Sequence, residues 1–248
     1  QKLKGVIGYI PQDDLLIEEL TVFQNLYYNA KLVFKDKEEQ ELRDLVNRTL
    51  YSLGLGEIKD LKVGSPMNKL ISGGQRKRLN IALELIREPA ILFVDEPTSG
   101  LSSRDSENVM DLLRELTLKG KLIFVVIHQP SSEIFKMFDN MFILDEGGYM
   151  VYYGNPVESV MYFKKLDAQI NSDVGECPTC GNVNPELIFN IMEARVVDEY
   201  GQYTDKRKVS PKKWEERLHE HVHISHVPKV KEEPPSRDRK STRLNSSH

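Results

Sequence analysis

Apolar positions change period along the chain. Val22, Leu26, Ala30 and Val33 recur near 3.6 residues behind Thr21, a good helix cap, which predicts a helix to about Phe34. Lys37–Leu53 reads as a second amphipathic helix closed by Gly54, Gly56–Leu70 as irregular, and the segment after Ser72 as a third helix. The pattern then switches to continuous apolar runs. Ile91-Leu92-Phe93-Val94 and Leu122 to Ile127 predict strands buried on both faces, with a helix from Arg104 to Leu118 between them. Gly5–Ile10 predicts a strand ending at Pro11, Ser131–Phe138 a short helix, and Met141–Leu144 with Tyr149–Tyr153 two strands around Gly147-Gly148. Strands alternating with helices imply an α/β layer with a mainly parallel sheet, and the helices from 21 to 70 an insertion beside it.

No apolar run approaches the ~20 residues of a membrane-spanning helix. Two cysteines in 248 residues build no disulfide framework and point to a reducing compartment. The net charge is −4, but from Lys206 onward twelve Lys/Arg face six Asp/Glu, which leaves −10 for residues 1–205. That acidic body argues against nucleic acid as a partner. Residues 206–240 read as a basic, largely disordered linker or tail broken by Pro228, Pro234 and Pro235. Residues 241–248 look like translated adapter sequence, a non-native scar.

Four blocks carry candidate chemistry. Asp95-Glu96 follow an apolar strand, and ligands of open parallel sheets bind beyond the carboxyl ends of strands. Two carboxylates there suit a hard cation and a water-activating base. His128 follows the second apolar strand and can donate to a phosphate oxygen. Ser72-Gly73-Gly74-Gln75 opens a helix with uncovered N–H groups and the positive end of its dipole, an anion-binding terminus. Gln12, just past the first strand, offers a neutral amide to a cation or a water.

In this order and spacing the blocks closely resemble the ATPase domain of ABC transporters, a P-loop NTPase-like α/β core with a helical subdomain. Gln12 matches the Q-loop glutamine, Ser72-Gly73-Gly74-Gln75 the signature (with Ile71 for the usual Leu), Asp95-Glu96 the Walker B pair and His128 the switch histidine. Pro97-Thr98-Ser99-Gly100-Leu101 leads into the D-loop, where Ser102 replaces the usual Asp. Ile127 to Ser132, Tyr152-Tyr153-Gly154-Asn155-Pro156 and Asn184-Pro185-Glu186 resemble the white/pigment-precursor and pleiotropic drug-resistance branch, the G subfamily. The resemblance covers roughly residues 5–205, and 1–205 read as a partial ABC ATPase domain with the helical subdomain at about 19–88.

The resemblance implies ATP and Mg²⁺ as cofactors, two domains sandwiching two nucleotides, and a membrane domain on the same chain that holds the ATPase at the cytoplasmic face. Asp95, with Gln12, would hold Mg²⁺; Glu96 would act as base; His128 would meet the γ-phosphate; Gln12 would sense it. Ser72, Gly73, Gly74 and Gln75 would act in trans on the nucleotide of the partner domain. No Gly-x-x-x-x-Gly-Lys-Ser/Thr occurs in the 248 residues, so the chain reads as an internal fragment, inactive alone, whose P-loop is expected upstream of Gln1. A rival reading is a soluble ABC ATPase of the translation or DNA-repair class. Cys177-Pro178-Thr179-Cys180 has zinc-knuckle spacing but too few partners for a structural site, His219, His221, His223 and His226 notwithstanding. Free thiols are the expectation there.

Overall fold

The computed structural model describes residues 6–65, 70–167 and 173–221. Three parallel strands form its sheet in the order β1 (Ile7–Ile10), β2 (Ile91–Asp95), β3 (Leu122–Val126). Ile10 lies beside Val94, and Asp95 beside Val126, so the polar residues that follow each strand emerge at one edge.

Between β1 and β2 the chain builds a helical unit. Helix α1 (Val22–Val33) starts at a capping box in which Gln24 N–H donates to the Thr21 hydroxyl and the Gln24 side chain accepts from Thr21 N–H. Its stripe of Val22, Leu26 and Ala30 is fully buried against Leu42, Val46 and Leu50 of α2 (Glu39–Ser52) and Leu79 and Ala82 of α3 (Gly73–Leu85). Helix α4 (Ser103–Leu118) joins β2 to β3 and packs Val109, Met110 and Leu113 on the sheet face formed by Ile10, Leu92 and Val94.

The other sheet face differs from the expectation of strands buried on both sides. Tyr9 is 55% exposed, Phe93 40% and Phe124 37%, and Phe93 stacks on Phe124 at 4.9 Å. Among the described residues no helix covers it. A continuous apolar run therefore reports what the strand is built to bury, not what this stretch of chain supplies.

After β3 come α5 (Ser132–Lys136), the antiparallel hairpin β4 (Met141–Asp145) and β5 (Tyr149–Gly154), α6 (Pro156–Leu166) and α7 (Glu186–Met192). A small hairpin, β6 (Arg195–Val197) and β7 (Tyr203–Arg207), leads to α8 (Pro211–His221). The expected disordered tail from 206 thus opens with ordered structure. Trp214, 1% exposed, and Leu218 lie four residues apart on one face of α8. Trp214 packs edge-on against Phe163, and Arg207 pairs with Asp145 at 2.7 Å. The basic composition of the region hides this two-residue stripe. Pro228, Pro234, Pro235, His223, His226 and the suspected scar lie outside the described residues.

Candidate functional site

The strand ends converge on Glu96. Gln12 Nε2 donates to Glu96 Oε2 at 2.8 Å, and His128 Nε2 lies 3.0 Å from Glu96 Oε1. Each residue arrives from a different strand: Gln12 two positions after β1, Glu96 one after β2, His128 two after β3. Parallel register alone brings them to the same edge. Glu96 N–H donates to Val126 O at 3.0 Å, which extends the ladder one step and fixes the carboxylate beside β3.

The backbone is strained at this edge. Glu96 has φ 42° and Gln129, next to His128, φ 44°. Such left-handed conformations in non-glycine residues cost about 1–3 kcal/mol each and persist where the surroundings impose them. Here they turn the chain sharply off β2 and β3, so that Glu96 and His128 meet. A cleft of about 330 Å³ opens beside them, lined by Glu96, Thr98, Ser99, His128, Gln129 and Ser131 among others.

Asp95, the last residue of β2, points to the uncovered sheet face and accepts from the Tyr9 hydroxyl at 3.1 Å. That bond pushes the Tyr9 phenol above its usual value, because ionising it would put a second negative charge beside the carboxylate. Asp95 and the Gln12 amide oxygen are hard oxygen donors, of the kind that suits Mg²⁺. Among the described residues no group of three or more His, Cys, Asp or Glu side chains is placed to hold a metal alone. The donor set fits a Mg²⁺ that takes its remaining ligands from phosphate and water.

Ser72-Gly73-Gly74-Gln75 forms a separate feature. Gln75 N–H donates to Ser72 Oγ at 3.2 Å, and Ser72 N–H donates to Gln75 Oε1 at 2.7 Å. This capping box opens α3. A side chain at Gly74 would meet Asp105 Oδ1 at 2.6 Å, so the glycine permits close approach of α4. Ser102, in place of the family's Asp, caps α4: Asp105 N–H donates to its Oγ at 3.2 Å, and its hydroxyl donates to Asp105 Oδ2 at 3.0 Å. Among the described residues no hydrogen bond or ion pair joins residues 72–75 to Gln12, Asp95, Glu96 or His128.

Several residues went unnoticed in the sequence. Lys77 Nζ donates to Gln12 O at 2.6 Å, Arg76 pairs with Asp14 at 2.9 Å, and Asn80 Oδ1 accepts from Leu15 N–H at 3.3 Å. The Gln12 loop is thereby strapped along α3. Burial lowers the Lys77 pKa, against the pull of Asp14, Asp13, Asp95 and Glu96. The available signal was spacing: Asn80 stands four residues after Arg76 and three after Lys77, so the three polar side chains neighbour one another on α3.

Comparison with known proteins defines the class first. The solved structure of cbiO1 from Clostridium perfringens, described as part of the ABC transporter complex cbiONQ, superposes with TM-score 0.55 and 29% identity, covering 68% of this chain and 66% of that one. The core is accordingly an ABC ATPase fold with a parallel sheet. A family model described as ABC transporter matches residues 1–99, and one described as ABC-2 type transporter matches 128–233. ABC transporter G family member 28 of Arabidopsis thaliana is 44% identical over 168 residues, which is 67% of this chain and 15% of that protein. The broad substrate specificity ATP-binding cassette transporter ABCG2 of Bos taurus is 41% identical over 157 residues, 63% of this chain and 24% of that protein. The chain belongs to the ABC transporter family, to the nucleotide-binding domain of its G subfamily. It spans only a minor part of the length of these relatives. No helix among the described residues is long and apolar enough to cross a membrane.

Proposed function

We propose that this chain is part of an ATP-hydrolysing domain that drives substrate movement across a membrane. The observation that carries the reading is the grip on Glu96 by Gln12 and His128 at the edge of a parallel sheet, at 2.8 and 3.0 Å. Glu96 serves as the base that orients and deprotonates the attacking water. His128, which holds one oxygen of that carboxylate, has its ring 75% exposed and is available to a γ-phosphate. Gln12 holds the other oxygen, so a nucleotide that draws the amide away also frees the base. Asp95 and Gln12 would hold Mg²⁺, which would supply positive charge to screen the phosphates.

Ser72, Gly73, Gly74 and Gln75 present the N-terminus of α3 to the nucleotide of a second such domain. The ATPase domain runs on past the expected boundary at 205 to take in β7 and α8, with about 19–88 as its helical subdomain and contact to the membrane domain. That membrane domain belongs to the same full-length polypeptide, and the ATPase works on the cytoplasmic face. The relatives' transporter names favour this over a soluble ABC ATPase.

The test uses the complete protein. Glu96→Gln keeps size and an acceptor but not the base, so ATP hydrolysis falls about 10²–10⁴-fold. ATP-dependent dimerisation survives. Asp95→Asn weakens nucleotide binding as well. Hydrolysis by Glu96→Gln at the wild-type rate rejects the base; equal loss of ATP binding in both variants rejects the division of labour.

A further inference from the structure

The loop between α6 and α7 carries the only two cysteines of the chain, and the ATPase reading makes no use of them. Residues 174–183 of it are firmly anchored. Gly175 lies so close to α6 that a Cβ there would meet Val157 O at 2.8 Å. Lys164 Nζ donates to Val174 O at 2.8 Å, Lys136 pairs with Glu176 at 3.2 Å and also donates to Gly181 O, and Val183 N–H donates to Ser132 Oγ at 2.9 Å. Val183 itself is buried in the core. Between these anchors Cys177 to Asn182 closes on itself: Gly181 N–H donates to Cys177 O at 2.7 Å and Cys177 N–H to Asn182 O at 2.8 Å. Gly181, at φ +70°, makes the closing bend.

This turn sets both thiols on one exposed surface. The backbone N–H groups of Cys180 and Thr179, and with them the Cys180 thiol, lie close enough to the Cys177 sulfur to stabilise its charge. Donors aimed at a sulfur favour its thiolate, and they hold the Cys177 thiol below its ordinary value. Two exposed thiols three residues apart, on one hydrogen-bonded turn fixed at both ends, are the parts of a dithiol redox centre.

We propose that Cys177 and Cys180 form a reversible dithiol–disulfide site for small-molecule disulfides, with Cys177 as the attacking sulfur and Cys180 as the resolving one. The Cys177 thiolate attacks one sulfur of the oxidant RSSR; its S–S bond breaks, and RS⁻ leaves and takes up a proton. Cys180 then gives up its proton, and its thiolate attacks the Cys177 sulfur of the mixed disulfide, expelling the second RS⁻, which takes up a proton. Two protein thiols are oxidised to one disulfide, and RSSR is reduced to two RSH.

The test is equilibration of the full chain with graded mixtures of oxidised and reduced glutathione, acid quenching, alkylation and mass measurement. The expected product is an intramolecular disulfide, seen as a loss of about 2 Da together with loss of both alkylation sites, and reversed by excess reduced glutathione. Cys180→Ser should accumulate the mixed disulfide at Cys177. Cys177→Ser should form its mixed disulfide several-fold more slowly than Cys180→Ser. The proposal is overturned by full alkylation of both thiols at every ratio, by intermolecular disulfides alone, or by equal rates in the two variants. Stoichiometric zinc that is lost in Cys177→Ser and blocks oxidation also overturns it.

Discussion

Tyr9 and Asp95 meet across two neighbouring strands, the phenol of β1 donating to the carboxylate that ends β2 at 3.1 Å. The bond ties a proposed metal ligand to the uncovered sheet face and gives that ligand a measurable reporter. Asp95→Asn should return the ionisation of one tyrosine towards its ordinary value, seen by ultraviolet difference titration against the wild type. In the complete protein Tyr9→Phe should raise the Mg²⁺ concentration for half-maximal ATPase about two- to fivefold, a modest effect because water can replace an exposed hydroxyl. An unchanged tyrosine titration in Asp95→Asn would refute the contact.

Gly74→Ala pits two effects against each other. Alanine favours a helix over glycine by about 1 kcal/mol. Its Cβ, however, would lie 2.6 Å from Asp105 Oδ1 and 2.9 Å from Asp105 Cγ, on a side chain that Ser102 already holds. The clash should dominate, with a lower melting temperature for Gly74→Ala. The double variant Gly74→Ala/Asp105→Ala should recover part of the loss. Thermal melts of the three proteins decide it.

Lys77 is buried and its pKa is lowered by desolvation. Between that lowered value and the ordinary 10.5, the folded chain binds fewer protons at Lys77 than the unfolded one. Stability from this group therefore rises with pH across that window. The melting temperature of the wild type relative to Lys77→Met should climb as pH approaches 10.5 from below, and a flat difference would remove the desolvation argument.

Tyr162 gives the opposite sign. Its hydroxyl is buried with no hydrogen-bond partner among the described residues, and burial pushes its pKa from 10.0 up to about 12. The contribution is intact below 10.0 and is lost as pH rises towards about 12, because unfolding releases the proton more readily. Tyr162→Phe should be at least as stable as the wild type at neutral pH, since it removes an unsatisfied group. Its alkaline loss of stability should be shallower, as paired denaturant titrations at neutral and alkaline pH would register.

The elements with strong local signals were legible in the sequence. Thr21 and Ser72 announce their helices by side-chain chemistry that acts within three residues, and both form capping boxes. Gln12, Glu96 and His128 were legible as strand-end polar residues, because parallel register carries such groups to a common edge. Tyr9 and Lys77 were not, because their partners lie 86 and 65 residues away and nothing in their neighbourhood marks the pairing. Helix α8 was missed because Trp214 and Leu218 are two apolar positions in a basic stretch, and their value depends on Phe163, itself on an element that periodicity did not single out.

The wet face of the three-stranded sheet also has a calorimetric consequence. Unfolding raises heat capacity in proportion to the apolar surface newly hydrated, typically by about 12–15 cal/mol/K per residue in globular domains. Tyr9, Phe93 and Phe124 are hydrated before the chain unfolds. Their exposed part adds nothing to that increment, so the heat-capacity step should fall slightly below the usual per-residue value.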